Sequence, residues 1–182
     1  SEYCFASMGI YVFNPKVLFE MLRLDAADED SHHDFGKDII HKMISSHRVY
    51  TFAFIDENRK GAKYWRDVGT LDAYYNANMD LIGVDPLLNL YDANWPIRTA
   101  PIQAPPPKTV FRQEDRMGVA VDSLLSPGCI VSGGRVVHSI LAPRVNVHSW
   151  SFVEDSILFE GVDIARHARV RGAVMEEGVR VP

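Results

Sequence analysis

CIVSGGRVVHSILAPRV (residues 129–145), NVHSWSFVEDSILFEGV (146–162) and DIARHARVRGAVMEEGV (163–179) are three consecutive rows of equal length, and written one above another their columns agree. Ile130, Val147, Ile164 and Val181 share one column, Val136, Val153 and Val170 a second. Ile140, Ile157 and Val174 form a third, and Val145, Val162 and Val179 a fourth. Leu141, Leu158 and Met175 add a further apolar column, while Gly134, Ser151 and Ala168 keep a small residue in step. Anchors about six residues apart, with one shorter step, are what a three-sided coil requires when each side sends a branched side chain inward. An antiparallel sandwich spaces its strands regularly too, but does not need the same residue class three times at the same column. The repeat therefore predicts a parallel β-helix over residues 123–182. Its last coil is interrupted at Pro182 and its first residue is Ser1, so the chain reads as a fragment.

Upstream of the repeat the texture changes. Five of the ten prolines fall between Pro96 and Pro107, a stiff stretch that joins neither a helix nor a central strand. Residues 96–122 are expected to be a connector. Residues 1–95 alternate strand-like and helix-like patterns, which indicates an α/β layer architecture. Met8 to Phe13 suits a buried strand, and Asn14-Pro15 starts a helix with Val17, Leu18, Met21 and Leu22 on one face. After the acidic loop Asp25 to Asp30, a second helix carries Ile39, Ile40, Met43 and Ile44. Arg48 to Ile55 alternates as a strand, Asp56 to Lys63 reads as a surface loop, and Thr70 caps a third helix with Leu71, Tyr74, Tyr75, Leu81 and Ile82 on its apolar side.

Composition removes several classes of function. With 47% apolar residues the chain can bury a core, and a net charge of −5 offers no basic surplus for nucleic acid. Cys4 and Cys129 are far apart and form no CxxC pair, so neither a disulfide framework nor a structural zinc site is expected, and a reducing cytoplasm is the natural setting. No apolar run reaches the roughly 18 residues of a membrane span.

Three clusters sit where a periodic element meets a loop: ASMGIY (6–11), HDFGKD (33–38) and YWRDVGT (64–70). Asp34 and Asp67, each taken alone, read as helix N-caps or first-turn carboxylates. Together with Ser7 and Trp65 they offer what a pyranose needs: carboxylates to accept hydroxyl hydrogen bonds, a planar apolar face and a small hydroxyl. Trp65 reads equally well as a core aromatic. Ser132-Gly133-Gly134-Arg135 falls in the repeat columns and is a coil corner rather than a phosphate loop. His138, His148 and His167 read as solvated coil residues, and Arg166, Arg169, Arg171 and Arg180 as a solvated face.

In the order ASMGIYVF, SHHDFGKDII, YWRDVGTLDAYYNANMDL, LYDANWPIRT, followed by the proline stretch and the coils, the chain resembles the bacterial ADP-glucose pyrophosphorylase (glucose-1-phosphate adenylyltransferase) family. The resemblance implies the C-terminal part of a Rossmann-like nucleotidyltransferase domain followed by a left-handed parallel β-helix. It implies an enzyme that makes ADP-glucose and pyrophosphate from ATP and glucose 1-phosphate, with Mg²⁺, in glycogen synthesis, and a homotetramer. It places Ser7, Tyr11, Asp34, Phe35 and Trp65 around the glucose, and Asp67 as the catalytic carboxylate nearest the metal and the phosphates. The family's glycine-rich GGxGxRL loop, first metal-binding Asp and EKP lysine do not occur in the chain, so the chain alone is expected to be inactive. Some relatives bind an activator through a Ser-Gly pair. Here Ser126 is followed by Pro127, which has no N–H to donate. Three other assignments are consistent with parts of the pattern: a hexapeptide-repeat acyltransferase, a nucleotidyltransferase for another sugar phosphate, and a non-catalytic regulatory or assembly module.

Overall fold

The computed structural model describes residues 6–55, 63–94, 96–113 and 115–182, and divides into two compact units, residues 1–63 and 64–182. Cys4 and most of the loop expected over Asp56 to Lys63 lie outside the described residues.

In the first unit, helix α1 (Pro15–Ala26) starts as expected. The Asn14 side chain accepts from the Lys16 N–H (3.1 Å), and Pro15 occupies the first helical position. A second helical segment opens as a wide π-turn over Phe35–Ile40 and continues as α2 (His41–Ser46). Met21, Ile39 and Met43 form the small core between them, padded by Phe13, Val17 and Leu22. Ile44 stays exposed, so the apolar stripe of this helix is narrower than its sequence implies. Met8 to Phe13 and Arg48 to Ile55 are extended, but apart from an isolated bridge at Ile55 they form no strand among the described residues. A strand is defined by its partner, and these two segments leave Val12 (99%) and Phe52 (89%) in solvent.

The second unit is built on a parallel β-helix of four coils with three faces. One face stacks β1 (Lys108–Val110), β6 (Ile130–Ser132), β9 (Asn146–Val147), β12 (Asp163–Ile164) and β15 (Arg180–Val181). The next stacks β4 (Val119–Val121), β7 (Arg135–Val137), β10 (Phe152–Glu154) and β13 (Arg169–Arg171). The third stacks β5 (Leu124–Leu125), β8 (Ile140–Leu141), β11 (Ile157–Leu158) and β14 (Val174–Met175). A short antiparallel excursion, β2 (Arg112–Gln113) with β3 (Arg116–Met117), interrupts the first coil. The solenoid thus begins at Lys108, whose strand pairs with β6, inside the stretch expected to be a connector. Only the residues before it, including Pro105-Pro106-Pro107, run without strand or helix.

Val131, Val147 and Ile164 point inward from the first face, Val136, Val153 and Val170 from the second, and Leu141 and Leu158 from the third, with Cys129, Val145 and Val162 filling the corner between the third and first. Two expected columns are corrected by these positions. Val131, not Ile130, pairs with Val147, because one residue fewer turns the corner at Ser132-Gly133 than at His148-Ser149-Trp150. Cys129 accordingly stacks under Val145, and its thiol, pushed up by burial and donating to the Ala142 carbonyl (3.1 Å), is a core group. On the third face Leu141 and Leu158 form the inward column, whereas Ile157, the adjacent residue, faces outward and is still only 2% exposed.

Helix α3 (Leu71–Met79) covers that outward position. The Tyr75 hydroxyl donates to the Asp155 carbonyl (2.7 Å), and the Tyr74 ring meets Phe159 edge-on at 6.4 Å, one contact on each side of Ile157 in the chain. Residues 64–83 thus belong with the solenoid in the second unit, a grouping the apolar pattern of α3 does not disclose.

The corners carry a second register. Asp122, His138 and Asp155 adopt left-handed φ (46–49°) at the same corner of successive coils, and Trp150 and His167 do so at another. Ser123, Ser139 and Ser156 follow the first set. The Ser123 hydroxyl accepts from the Ser139 N–H (3.1 Å), that of Ser139 from Ser156 (3.1 Å), and that of Ser156 from Ala173 (3.2 Å). The histidines expected on solvated faces are exposed or half-buried and also find neighbours there: His138 meets Asp155 (2.8 Å), His148 meets Asp163 (3.2 Å), and His167 meets the Trp150 ring at 5.0 Å. Gly134 is closely walled at its corner, since a Cβ there would lie 2.5 Å from the His148 carbonyl.

Val153 is fully buried in the central coil, so Val153→Asp would strand a charge among aliphatic columns. The expected loss is more than about 3 kcal/mol, read as a lowered midpoint in thermal melts. An unchanged melt would refute this register.

Candidate functional site

In the first unit the structure brings together Ser7, Tyr11, Asp34 and Phe35. Ser7 Oγ and the Tyr11 hydroxyl share a hydrogen bond (2.8 Å), and Ser7 also accepts from the Gly9 N–H (3.2 Å), so a tight turn places both hydroxyls side by side. Tyr11 stacks on Phe35 with ring centroids 5.9 Å apart and planes at 21°, and Phe13 tilts against both. Beneath them Gly36 leaves room: a Cβ there would lie 3.3 Å from Asp34 Oδ1 and 3.8 Å from the Tyr11 hydroxyl. Four expected sugar contacts thus form one exposed patch of hydroxyl, carboxylate and aromatic face.

Asp34 is also the N-cap expected of it. Its Oδ1 accepts from the Lys37 N–H (2.8 Å), and its own N–H donates to Asp38 Oδ2 (3.1 Å), so the loop end is held from both directions. The residue is exposed, and among the described residues no hydrogen bond engages its Oδ2, the second acceptor of the carboxylate.

Trp65 and Asp67 belong to the second unit. Tyr64 and Arg66 both reach the Asp80 carboxylate, at 3.4 and 2.6 Å. In extended backbone alternate side chains point to opposite sides, so Trp65 and Asp67 share the other side. Both are exposed, Trp65 at 47%, which places its ring on the surface rather than in a core. Asp67 Oδ1 accepts from the Gly69 N–H (3.0 Å), an Asx-turn that leads directly to Thr70, whose hydroxyl oxygen accepts from Ala73 and caps α3. Ser126 lies half-buried at a solenoid corner, its N–H bonded to the Leu141 carbonyl (2.9 Å), while the Pro127 carbonyl accepts from Arg144.

For a hard cation the donor set is small. Among the described residues no group of three or more His, Cys, Asp or Glu converges, and Asp67 offers one exposed carboxylate. That fits a Mg²⁺ ion whose remaining ligands are substrate oxygens and water, a common arrangement for this metal. Among the same residues no helix is long and apolar enough to cross a membrane.

One polar cluster escapes a reading by motif. Asp25, within the acidic stretch expected to be loop, is the last buried residue of α1 and is 5% exposed. It accepts from Ser31 Oγ (2.6 Å) through Oδ1 and from His33 Nδ1 (2.9 Å) through Oδ2. Lys42 stands 4.0 Å away and pairs with Asp28 at 2.6 Å. The signal was present in the spacing, since Asp25 lies four residues after Met21 on the buried stripe. The groove of about 510 Å³ beside it is lined by Met21, Asp25, Ile39 and Lys42, and by none of the expected sugar contacts.

Residues 2–83 match the nucleotidyl transferase family, and residues 105–182 match the family described as GlmU-like, C-terminal hexapeptide. Fold and matches together define a nucleotidyltransferase segment joined to a hexapeptide-type solenoid. Proteins named glucose-1-phosphate adenylyltransferase are similar throughout: that of Koribacter versatilis is 55% identical over 97% of this chain, that of Rhodopirellula baltica 54% over 100%, and that of Methylococcus capsulatus 51% over 100%. The chain is a homologue of the glucose-1-phosphate adenylyltransferases, and spans about two fifths of their length, 42%, 41% and 43% respectively.

Hydrogen bonds from Ser31 and then His33 hold the Asp25 carboxyl below its ordinary 3.8. A depressed folded value stabilises the fold above the unfolded pKa and ceases to as pH falls through the folded one. The melting-point advantage of wild type over Asp25→Asn should therefore be complete above about pH 4 and shrink in more acid solution. Parallel pH series of thermal melts test this; a gap that widens with acid would contradict it.

Proposed function

We propose that this chain supplies the sugar side and the solenoid of a glucose-1-phosphate adenylyltransferase. The observation that carries the proposal is the patch of Ser7, Tyr11, Asp34 and Phe35, in which two hydroxyls, an exposed carboxylate and a stacked aromatic pair present the groups that hold a hexose. Asp34 accepts glucose hydroxyls, Ser7 and Tyr11 exchange hydrogen bonds with others, and Phe35 offers apolar surface to the ring, a role that the family resemblance extends to Trp65. Asp67, on the exposed side of its extended segment, is the carboxylate directed at the phosphates and their Mg²⁺.

In the reaction a phosphate oxygen of glucose 1-phosphate forms a bond to the α-phosphorus of ATP while the bond from that phosphorus to the β-bridging oxygen breaks, giving ADP-glucose and pyrophosphate. Little covalent chemistry falls to the protein, so alignment dominates. Holding the hexose fixes the direction in which its phosphate points. Mg²⁺, when bound, supplies neutralisation of the negative charge that gathers on the phosphates.

The homologues' names support these substrates, and the reading extends to a cytoplasmic homotetramer acting in glycogen synthesis. Without a glycine-rich triphosphate loop in its sequence, the chain by itself is proposed to be inactive. An activator acting through Ser126 would have to do without an N–H from Pro127.

Steady-state kinetics of the full-length protein carrying this chain test the assignments. Asp67→Asn should lower kcat by about tenfold or more, whereas Asp34→Ala and Trp65→Ala should chiefly raise the KM for glucose 1-phosphate. Unchanged constants in all three would defeat the site. Removal of Mg²⁺ by a chelator should abolish turnover and its return restore it.

A further inference from the structure

Resting on the reading of Asp34 as a sugar ligand, we infer that Asp25 is a positioning residue for the sugar pocket: its buried carboxylate staples the loop that ends in Asp34 and so sets the affinity for glucose 1-phosphate. Asp25 is anchored by helix α1, and its two oxygens take separate donors, Ser31 Oγ on one and His33 Nδ1 on the other. Those donors are six and eight residues away, so a single rigid side chain closes the whole turn between α1 and the next helical segment. The loop cooperates: Ser31 N–H donates to the Asp28 carbonyl, His33 N–H to Ser31 Oγ, and Lys42 ties Asp28 to α2.

His33 is the decisive link. Its φ of 58° is a left-handed conformation unfavourable to a non-glycine residue, and the bond to Asp25 holds the ring of that residue in place. The next residue is Asp34. Releasing His33 lets the backbone relax to negative φ, which re-aims the Asp34 carboxylate relative to Tyr11 and Phe35. Asp25 touches neither Ser7 nor Tyr11 in any hydrogen bond, so its action on the sugar is indirect.

Leucine at position 25 is a sharp probe, since it nearly keeps the size of the side chain and offers an acceptor to neither Ser31 nor His33. His33→Ala is the second, because it removes the imidazole and leaves a residue free to return to negative φ. The full-length protein is assayed with glucose 1-phosphate varied at saturating ATP, and with ATP varied at saturating sugar phosphate. The expected result is a rise of about tenfold in the KM for glucose 1-phosphate in both variants, with kcat and the KM for ATP within about twofold of wild type. A merely structural role for Asp25 would lower the active fraction, and hence kcat, with the sugar KM unmoved; that outcome overturns the inference. Asp34→Ala is run beside them. If it raises the sugar KM while the position 25 and 33 variants do not, the staple alone is refuted; if it too leaves the KM unchanged, the sugar-site reading falls and the staple's role with it.

Discussion

Every coil of the solenoid must lie in register on its neighbour, because the same backbone groups that define one coil are satisfied only by the next. Ile130, Asn146 and Asp163 each donate to a carbonyl one coil on, those of Val145, Val162 and Val179. In-register stacking then forces side chains into columns, and columns facing inward have to be apolar, since nothing polar inside such a narrow prism could find a partner. Val131, Val147 and Ile164, or Leu141 and Leu158, follow from that one constraint. So does the serine file at residues 123, 139 and 156, where a hydroxyl at the bend replaces the ladder bond that the turning backbone cannot make.

The repeat was legible because evolution of a stacked coil writes the same demand every turn. What a fixed row length conceals is a coil of different length. Between Val131 and Gly133 the chain turns with Ser132 alone, where the next coil uses both His148 and Ser149, so every position before Gly133 is displaced by one from its expected column. The start of the solenoid was concealed for a similar reason. The excursion through β2 and β3 separates Lys108–Val110 from Val119–Val121, and no seventeen-residue comparison reaches across it. Corners were less legible than faces, since left-handed φ is met by Asp, His, Trp, Arg and Gly alike at these bends.

Outside the solenoid local signals succeeded and non-local ones did not. Asn14, Asp34 and Thr70 cap their helices as their residue types predict, because a cap is settled within three residues. The strands expected at Met8 to Phe13 and Arg48 to Ile55 depend on hydrogen-bond partners elsewhere, and alternation in one segment carries no information about who that partner is. The candidate site divides along the same line. Motif reading singled out Ser7 and Asp34 and the family resemblance added Tyr11 and Phe35, four residues the structure gathers into one patch, but both passed over Asp25, whose contacts with Ser31 and His33 reach across a turn.

The position of Asp67 illustrates how the solenoid can orient a side chain that is not part of it. Asp67 is fixed by its Asx-turn to Gly69, the turn by the Thr70 cap, and the cap by the first turn of α3, whose next residues are Tyr74 and Tyr75. Those two rings are seated on the solenoid at Phe159 and Asp155. Arg66 and Tyr64 close the loop by gripping Asp80 at the far end of the same helix, so the extended segment carrying Trp65 and Asp67 is tied at both ends to one rigid rod. A helix that rests on a stacked scaffold cannot tilt without losing those contacts. The regular, chemically inert coils thereby serve as the reference frame that keeps an exposed carboxylate pointing in one direction, and the strength of that frame is set by the aliphatic columns inside it.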